Sequence, residues 1–141
     1  MPDKGGRITV VVAEPDDMTA SLAESAVMSD TLMTVVRKVF DRRALLSTVA
    51  STAPDVVVLD TQLEGETAGT VRELLTRAPG CTVIVTGSKD DSTQLSRAVI
   101  AGARGFLFKP YRPDELVNSV RDAHATSRTM QEGLKLEHTG R

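Results

Sequence analysis

Glu14, Asp60, Thr86 and Lys109 are the side chains in this sequence that could do chemistry together. Each stands at the end of a short apolar run. Ile8-Thr9-Val10-Val11-Val12-Ala13 precedes Glu14, and Val56-Val57-Val58-Leu59 precedes Asp60. Cys81-Thr82-Val83-Ile84-Val85 precedes Thr86, and Gly105-Phe106-Leu107-Phe108 precedes Lys109. Two carboxylates at one point can hold a hard divalent cation such as Mg²⁺, which takes oxygen ligands and keeps several waters. A hydroxyl and an ammonium opposite them can bind the oxygens of a phosphoryl group. Together these are the groups needed to make and hydrolyse an aspartyl phosphate. Asp60 also has a plainer reading, as the cap of the element that follows it.

The chemistry requires that the four residues share one edge of a sheet. The apolar runs are short and β-branched, so they read as strands buried on both faces, the habit of a parallel sheet. Strands are expected at Ile8–Ala13, Met33–Val36, Val56–Asp60, Cys81–Thr86 and Gly105–Lys109. Helical signals alternate with them. The first helix runs from Asp16 to about Met28, with Met18, Leu22 and Ala26 as its apolar stripe. The second is capped by Asp41 and carries Ala44, Leu45 and Val49. The third covers Thr70 to Arg77, with Val71, Leu74 and Leu75 apolar and Ala78-Pro79-Gly80 as its stop. The fourth covers Asp91 to Ala101, with Leu95, Val99 and Ile100 inward and Gly102 at its end. The fifth starts at Pro113, with Asp114 and Glu115 in its first turn, and continues through Leu116, Val120 and His124. Right-handed crossovers then give an α/β fold: a doubly wound (βα)5, flavodoxin-like three-layer sandwich. Its parallel sheet has the order 2-1-3-4-5, with the switch point between strands one and three. That order sets Glu14 and Asp60 on one crevice.

Composition narrows the function classes. The 141 residues suit one domain, and 40% hydrophobic residues can build a core. No apolar run nears the roughly 20 residues of a membrane span. No apolar segment of signal-peptide length precedes the first strand, so a cytoplasmic protein is expected, with no membrane partner. The single Cys81 cannot form an internal disulfide and reads as a small buried hydrophobe. His124 and His138 stand apart from any cysteine cluster and do not suggest zinc. A net charge of −2 with interspersed signs, no Trp and one Tyr argue against nucleic-acid binding. The same fold can bind flavin mononucleotide at its switch point. Here Glu14-Pro15-Asp16-Asp17 would repel a phosphate.

Three stretches carry a family resemblance: Val56-Val57-Val58-Leu59-Asp60, Val83-Ile84-Val85-Thr86-Gly87, and Gly102-Ala103-Arg104-Gly105-Phe106-Leu107-Phe108-Lys109-Pro110 with Asp114-Glu115-Leu116 following. In this order and spacing the chain resembles a response-regulator receiver domain, the phosphoacceptor module of two-component signalling. The resemblance covers roughly residues 7 to 124. It implies a receiver domain over 1–124 and a helix extension, tail or linker over 125–141. It implies Asp60 as phosphoacceptor, Lys109 as the contact to phosphoryl oxygens, Thr86 as a switch hydroxyl and Phe106 as an aromatic switch. As Phe, residue 106 is expected to face inward. For Mg²⁺ it implies Glu14, Asp60 and the Gln62 backbone carbonyl, with Asp16 as a further candidate, although Asp16 reads first as a cap of the first helix. The implied protein is not an enzyme beyond self-catalysed phosphotransfer and dephosphorylation. Its implied partners are a histidine kinase or phosphotransfer protein, a fused or separate output domain, and a second copy through the fourth helix, fifth strand and fifth helix. It is also similar to atypical receivers that precede pilus-assembly ATPases of the CpaE/TadZ kind.

The chain departs from the family pattern at three places. The second of two adjacent acids falls on Pro15, which offers no ligand, so the Mg²⁺ site is expected to be weakened or absent. Leu63, Glu64 and Ala68 replace the usual Met, Pro and Gly after the acceptor, and Glu64 would add negative charge. Gly87 stands where Ala is common and is expected to loosen the backbone beside Thr86. The chemistry then has two readings: a receiver phosphorylated on Asp60, or a degenerate receiver acting by protein contact alone.

Overall fold

The computed structural model describes residues 6–139, with side chains described through residue 130. β1 (Ile8–Ala13), α1 (Asp17–Met28), β2 (Met33–Val39), α2 (Arg42–Thr52), β3 (Val56–Asp60) and α3 (Thr67–Arg77) form the first part. β4 (Thr82–Gly87), α4 (Ser92–Ile100), β5 (Gly105–Phe108) and α5 (Pro113–Thr139) complete it, with a short 3₁₀ turn over Lys89–Asp91 before α4. All strand pairings are parallel and the order is β2-β1-β3-β4-β5. The expected sandwich is therefore the observed one.

The side-chain period of two divides each central strand between two cores. Val11, Val57, Leu59, Val83 and Val85 face Leu45 and Val49 of α2, Val71 and Leu74 of α3, and Leu95 and Ala98 of α4. Val10, Val12, Val56, Val58 and Ile84 face Ala20, Ala23, Ala26 and Val27 of α1 and Leu116, Val120 and Ala123 of α5. Fully burying a Val, Leu or Ile side chain stabilises by about 1.5–3 kcal/mol. This explains why β1, β3 and β4 are nearly continuous apolar runs.

Local signals start the helices. The Asp16 carboxylate accepts from the Thr19 N–H and caps α1, and Asp41 accepts from the Ala44 N–H and caps α2. Gly102, just past α4, has φ +124°. A Cβ there would stand 2.5 Å from Leu75 Cδ1, so both backbone and space require glycine.

Three expectations about the elements need correction. The buried stripe of α1 is Ala20, Ala23, Ala26 and Val27, whereas Met18 and Leu22 are 75% and 67% exposed. Small residues let α1 lie close to the sheet and to α5, which turns its larger apolar side chains outward. On α4, Leu95 and Ala98 are buried, and Val99 and Ile100 face solvent. β2 runs three residues further than expected, to Val39, because its later residues continue the ladder with β1. After Ala125 the chain continues α5 as far as Thr139, the helix extension among the expected alternatives.

Candidate functional site

Register places the site before any side chain is considered. Asp60 on β3 pairs with Thr86 on β4, and Ala13 on β1 pairs with Leu59 on β3. Glu14 follows Ala13, so it arrives level with Asp60. Lys109 follows Phe108, which pairs with Gly87 on β4. The four residues therefore converge at the carboxyl edge of the sheet, where open α/β sheets leave a crevice.

The polar groups are closely partnered. The Thr86 hydroxyl donates to Asp60 Oδ1 at 2.8 Å, and the Lys109 ammonium lies 2.7 Å from the same oxygen. The Gln62 N–H donates to Asp60 Oδ2 at 2.8 Å. Lys109 Nζ also donates to Glu14 Oε1, and the Asp16 N–H donates to Glu14 Oε2 at 2.9 Å. Asp60 and Glu14 are 2% and 5% exposed. Buried carboxylates at this depth require such donors, since an unpaired buried charge is very costly. Burial alone would lower the Lys109 pKa, but hydrogen bonds from its ammonium to Asp60 and Glu14, and attraction to both, raise it above the ordinary lysine value. The half-buried Tyr111 phenol nearby is raised by its burial.

The family implied by the resemblance calls for Mg²⁺ here, so the donor set must be tested against it. Mg²⁺ needs near-ideal octahedral oxygen geometry. Pro15 has no side-chain donor. The Asp16 carboxylate accepts from the Thr19 N–H and hydroxyl at 2.8 and 2.6 Å, which holds its pKa below the usual range and keeps it on α1. Asp16 is thus a cap in this structure and not a metal ligand. The contact described for Gln62 is its N–H on Asp60. Among the described residues no group of three or more His, Cys, Asp or Glu side chains could hold a metal. The remaining carboxylates, Glu14 and Asp60, share one ammonium. This arrangement does not fit a resident Mg²⁺.

Sequence reasoning missed a second polar cluster beside the first. The Thr61 hydroxyl donates to Asp91 Oδ2 at 3.0 Å, and the same oxygen accepts from the Ser88 N–H at 3.0 Å and hydroxyl at 3.2 Å. These bonds, led by the Ser88 N–H, lower the Asp91 pKa. They tie the end of β3 to the turn that starts α4. Gly87 is the counterpart of Thr61: a Cβ there would lie 2.8 Å from Thr61 Oγ1 and 3.0 Å from Thr61 Cγ2. Gly87 is therefore needed for close packing against Thr61. A glycine ending a buried strand was the available signal for such an approach. Glu64 accepts from the Arg42 N–H at the start of α2 at 3.3 Å.

Phe106 is the other correction. It is 47% exposed and packs edge-on against Phe108, with ring centroids 5.4 Å apart. β5 is an edge strand whose alternate residues face outward, and Phe106 and Phe108 share that side. Next to Lys109, an apolar groove of about 690 Å³ runs between α1 and the start of α5, lined by Leu22, Ala26, Pro110, Tyr111 and Pro113 among others.

Comparison with known proteins agrees with this geometry. A family model described as the response regulator receiver domain matches residues 10–121. The transcriptional regulatory protein DesR of Bacillus subtilis is 28% identical over 114 residues, covering 81% of this chain and 57% of DesR. The DNA-binding response regulator MtrA of Mycobacterium tuberculosis is 27% identical over 115 residues, covering 82% of this chain and 50% of MtrA. The chain thus spans about half the length of these relatives. The solved signal receiver domain of NarL from Mycobacterium tuberculosis has the same fold, with a TM-score of 0.78, 24% identity, and coverage of 84% of this chain and 97% of that one.

Proposed function

The chain belongs to the family of response regulator receiver domains of two-component signalling, and we propose that its phosphoacceptor is Asp60. The observation that carries this reading is the setting of Asp60 Oδ1, which accepts from the Thr86 hydroxyl and the Lys109 ammonium in a buried pocket. An Asp60 carboxylate oxygen attacks the phosphorus of a phosphorylated donor. The new O–P bond forms as the bond from phosphorus to the donor breaks, and the donor leaves with that electron pair. Thr86 and Lys109 stand beside the attacking carboxylate, from where they can move onto the phosphoryl oxygens as charge gathers there. Attack of water on phosphorus later returns the carboxylate and inorganic phosphate. The chain is thus a phosphoacceptor with at most self-catalysed transfer and loss.

Receiver domains generally bind Mg²⁺ at the acidic pocket. The donor set here does not fit one, so the steps above rest on Lys109 and Thr86 alone. The donor in this proposal is a histidine kinase or phosphotransfer protein. The output is a switched protein contact, made by a fused or separate domain or by a second copy. The α4–β5–α5 face suits that copy, since Val99, Ile100, Phe106 and Phe108 are exposed there. Phe106 would swing inward as Thr86 closes on the phosphoryl group.

The test is intact mass after incubation with acetyl phosphate, with and without Mg²⁺. The native protein is expected to gain one phosphoryl group and Asp60→Ala none. Absence of an adduct under both conditions, or an adduct that survives Asp60→Ala, overturns the assignment.

A further inference from the structure

We infer that Lys109 is the resident counter-ion of this pocket, and that the domain takes its phosphoryl group without a bound divalent cation. The inference rests on the reading of Asp60 as acceptor and adds how its charge is managed.

All four oxygens of the two buried carboxylates are engaged. Glu14 Oε1 and Asp60 Oδ1 both take the Lys109 ammonium, Glu14 Oε2 takes the Asp16 N–H, and Asp60 Oδ2 takes the Gln62 N–H. A divalent cation bound by the same carboxylates would lie a few ångströms from that ammonium, in a pocket where screening is weak. The place from which a further acid could compensate is Pro15, and Asp16 is turned to α1. A lysine is well suited to the role. It is a compact point charge on a flexible stem, with three donors to distribute. Phosphorylation would then draw Lys109 from Glu14 toward the phosphoryl oxygens, so that one ammonium serves both states in turn.

The experiment titrates Mg²⁺ alone against native protein, Pro15→Asp and Lys109→Ala, by calorimetry and thermal unfolding at matched ionic strength. The native protein is expected to show no saturable binding in the millimolar range. Pro15→Asp, which restores an acid at the missing position, should bind roughly tenfold to a hundredfold more tightly, the scale on which single site groups act on metal affinity. Lys109→Ala should melt earlier in chelator than native protein and regain stability when Mg²⁺ is added. If Lys109→Ala does not fold, Pro15→Asp decides alone. Saturable binding to native protein as tight as to Pro15→Asp overturns the inference. So does a phosphoryl adduct on native protein that forms only with Mg²⁺. An adduct that forms equally in chelator supports it. If native protein takes no phosphoryl group with or without Mg²⁺, the acceptor assignment and the divalent-free transfer fail together, whereas an adduct that needs Mg²⁺ overturns the divalent-free transfer alone.

Discussion

At the amino ends of β1 and β3, the Thr9 N–H and hydroxyl donate to Asp55 Oδ2 at 2.9 and 3.1 Å, and the Asp55 N–H donates to Thr9 Oγ1 at 2.9 Å. At the carboxyl ends, the Thr86 hydroxyl donates to Asp60 Oδ1 at 2.8 Å. The chemical pair is the same, with one aspartate just before β3 and the other at its end. What differs is the company each pair keeps. Asp55 closes the edge between two neighbouring strands and accepts mainly from one residue. Asp60 meets groups carried by three other strands, including a second carboxylate and an ammonium with a raised pKa. An aspartate with a threonine is a clip. Convergence of opposite charges from several strand ends turns the same pair into a site, and only the carboxyl edge of a parallel sheet offers that convergence.

Exchanging the damage between the two ends gives the largest expected effect. Asp55→Ala leaves the Thr9 N–H and hydroxyl without their acceptor and should cost about 1–3 kcal/mol in urea unfolding. It should leave the phosphoryl adduct intact. Asp60→Ala should show the reverse pattern, with the adduct lost and stability less affected, because Glu14 then keeps Lys109 to itself. Loss of the adduct in a folded Asp55→Ala protein would erase the distinction between the ends.

Alkaline pH separates them next. Burial, followed by the negative charge of Asp55, pushes the Cys81 thiol up to about 12. The folded protein therefore holds a proton that the unfolded chain releases at an ordinary thiol value of about 8.5. Stability from this group is complete below that value and declines as pH rises through it, by at most about 1.4 kcal/mol per pH unit. Lys109 and Tyr111 are also raised, so their contributions are likewise lost as pH rises, but only above their ordinary values of about 10. Cys81→Ala should flatten the decline of the urea midpoint between about pH 8 and about pH 10. An unchanged decline would show that Cys81 does not govern it.

The smallest expected effect concerns a surface away from both ends. Ile100 is 86% exposed. Ile100→Ser should shift stability by no more than about 0.5 kcal/mol, while weakening self-association of the phosphorylated protein in sedimentation. A protein that stays monomeric in both states, with either residue, would remove this face as a contact between copies.

Much of the fold was legible because buried parallel strands write themselves as β-branched runs. Val56-Val57-Val58-Leu59 needed no context, and alternation with helices determined the topology. The site followed from the topology, since Glu14, Asp60, Thr86 and Lys109 each close a strand. Helix faces were less legible. A stripe of Met18 and Leu22 matches the helical period, yet the closeness of α1 to the sheet and α5 selected Ala20, Ala23 and Ala26 instead. The outward Phe106 was hidden for a related reason, because the side of an edge strand that a ring takes depends on its neighbour, Phe108.

The sequence by itself determined which residues stand at the strand ends and that Pro15, directly after Glu14, offers no side-chain ligand. Both follow from covalent order and from the short period of a strand, which act locally. Only the tertiary structure decided that Lys109 reaches both carboxylates and that Gly87 makes room for Thr61. Those outcomes depend on distances between groups from different strands. Burial, by removing water as an alternative partner, forces each charge to find its donor within the fold.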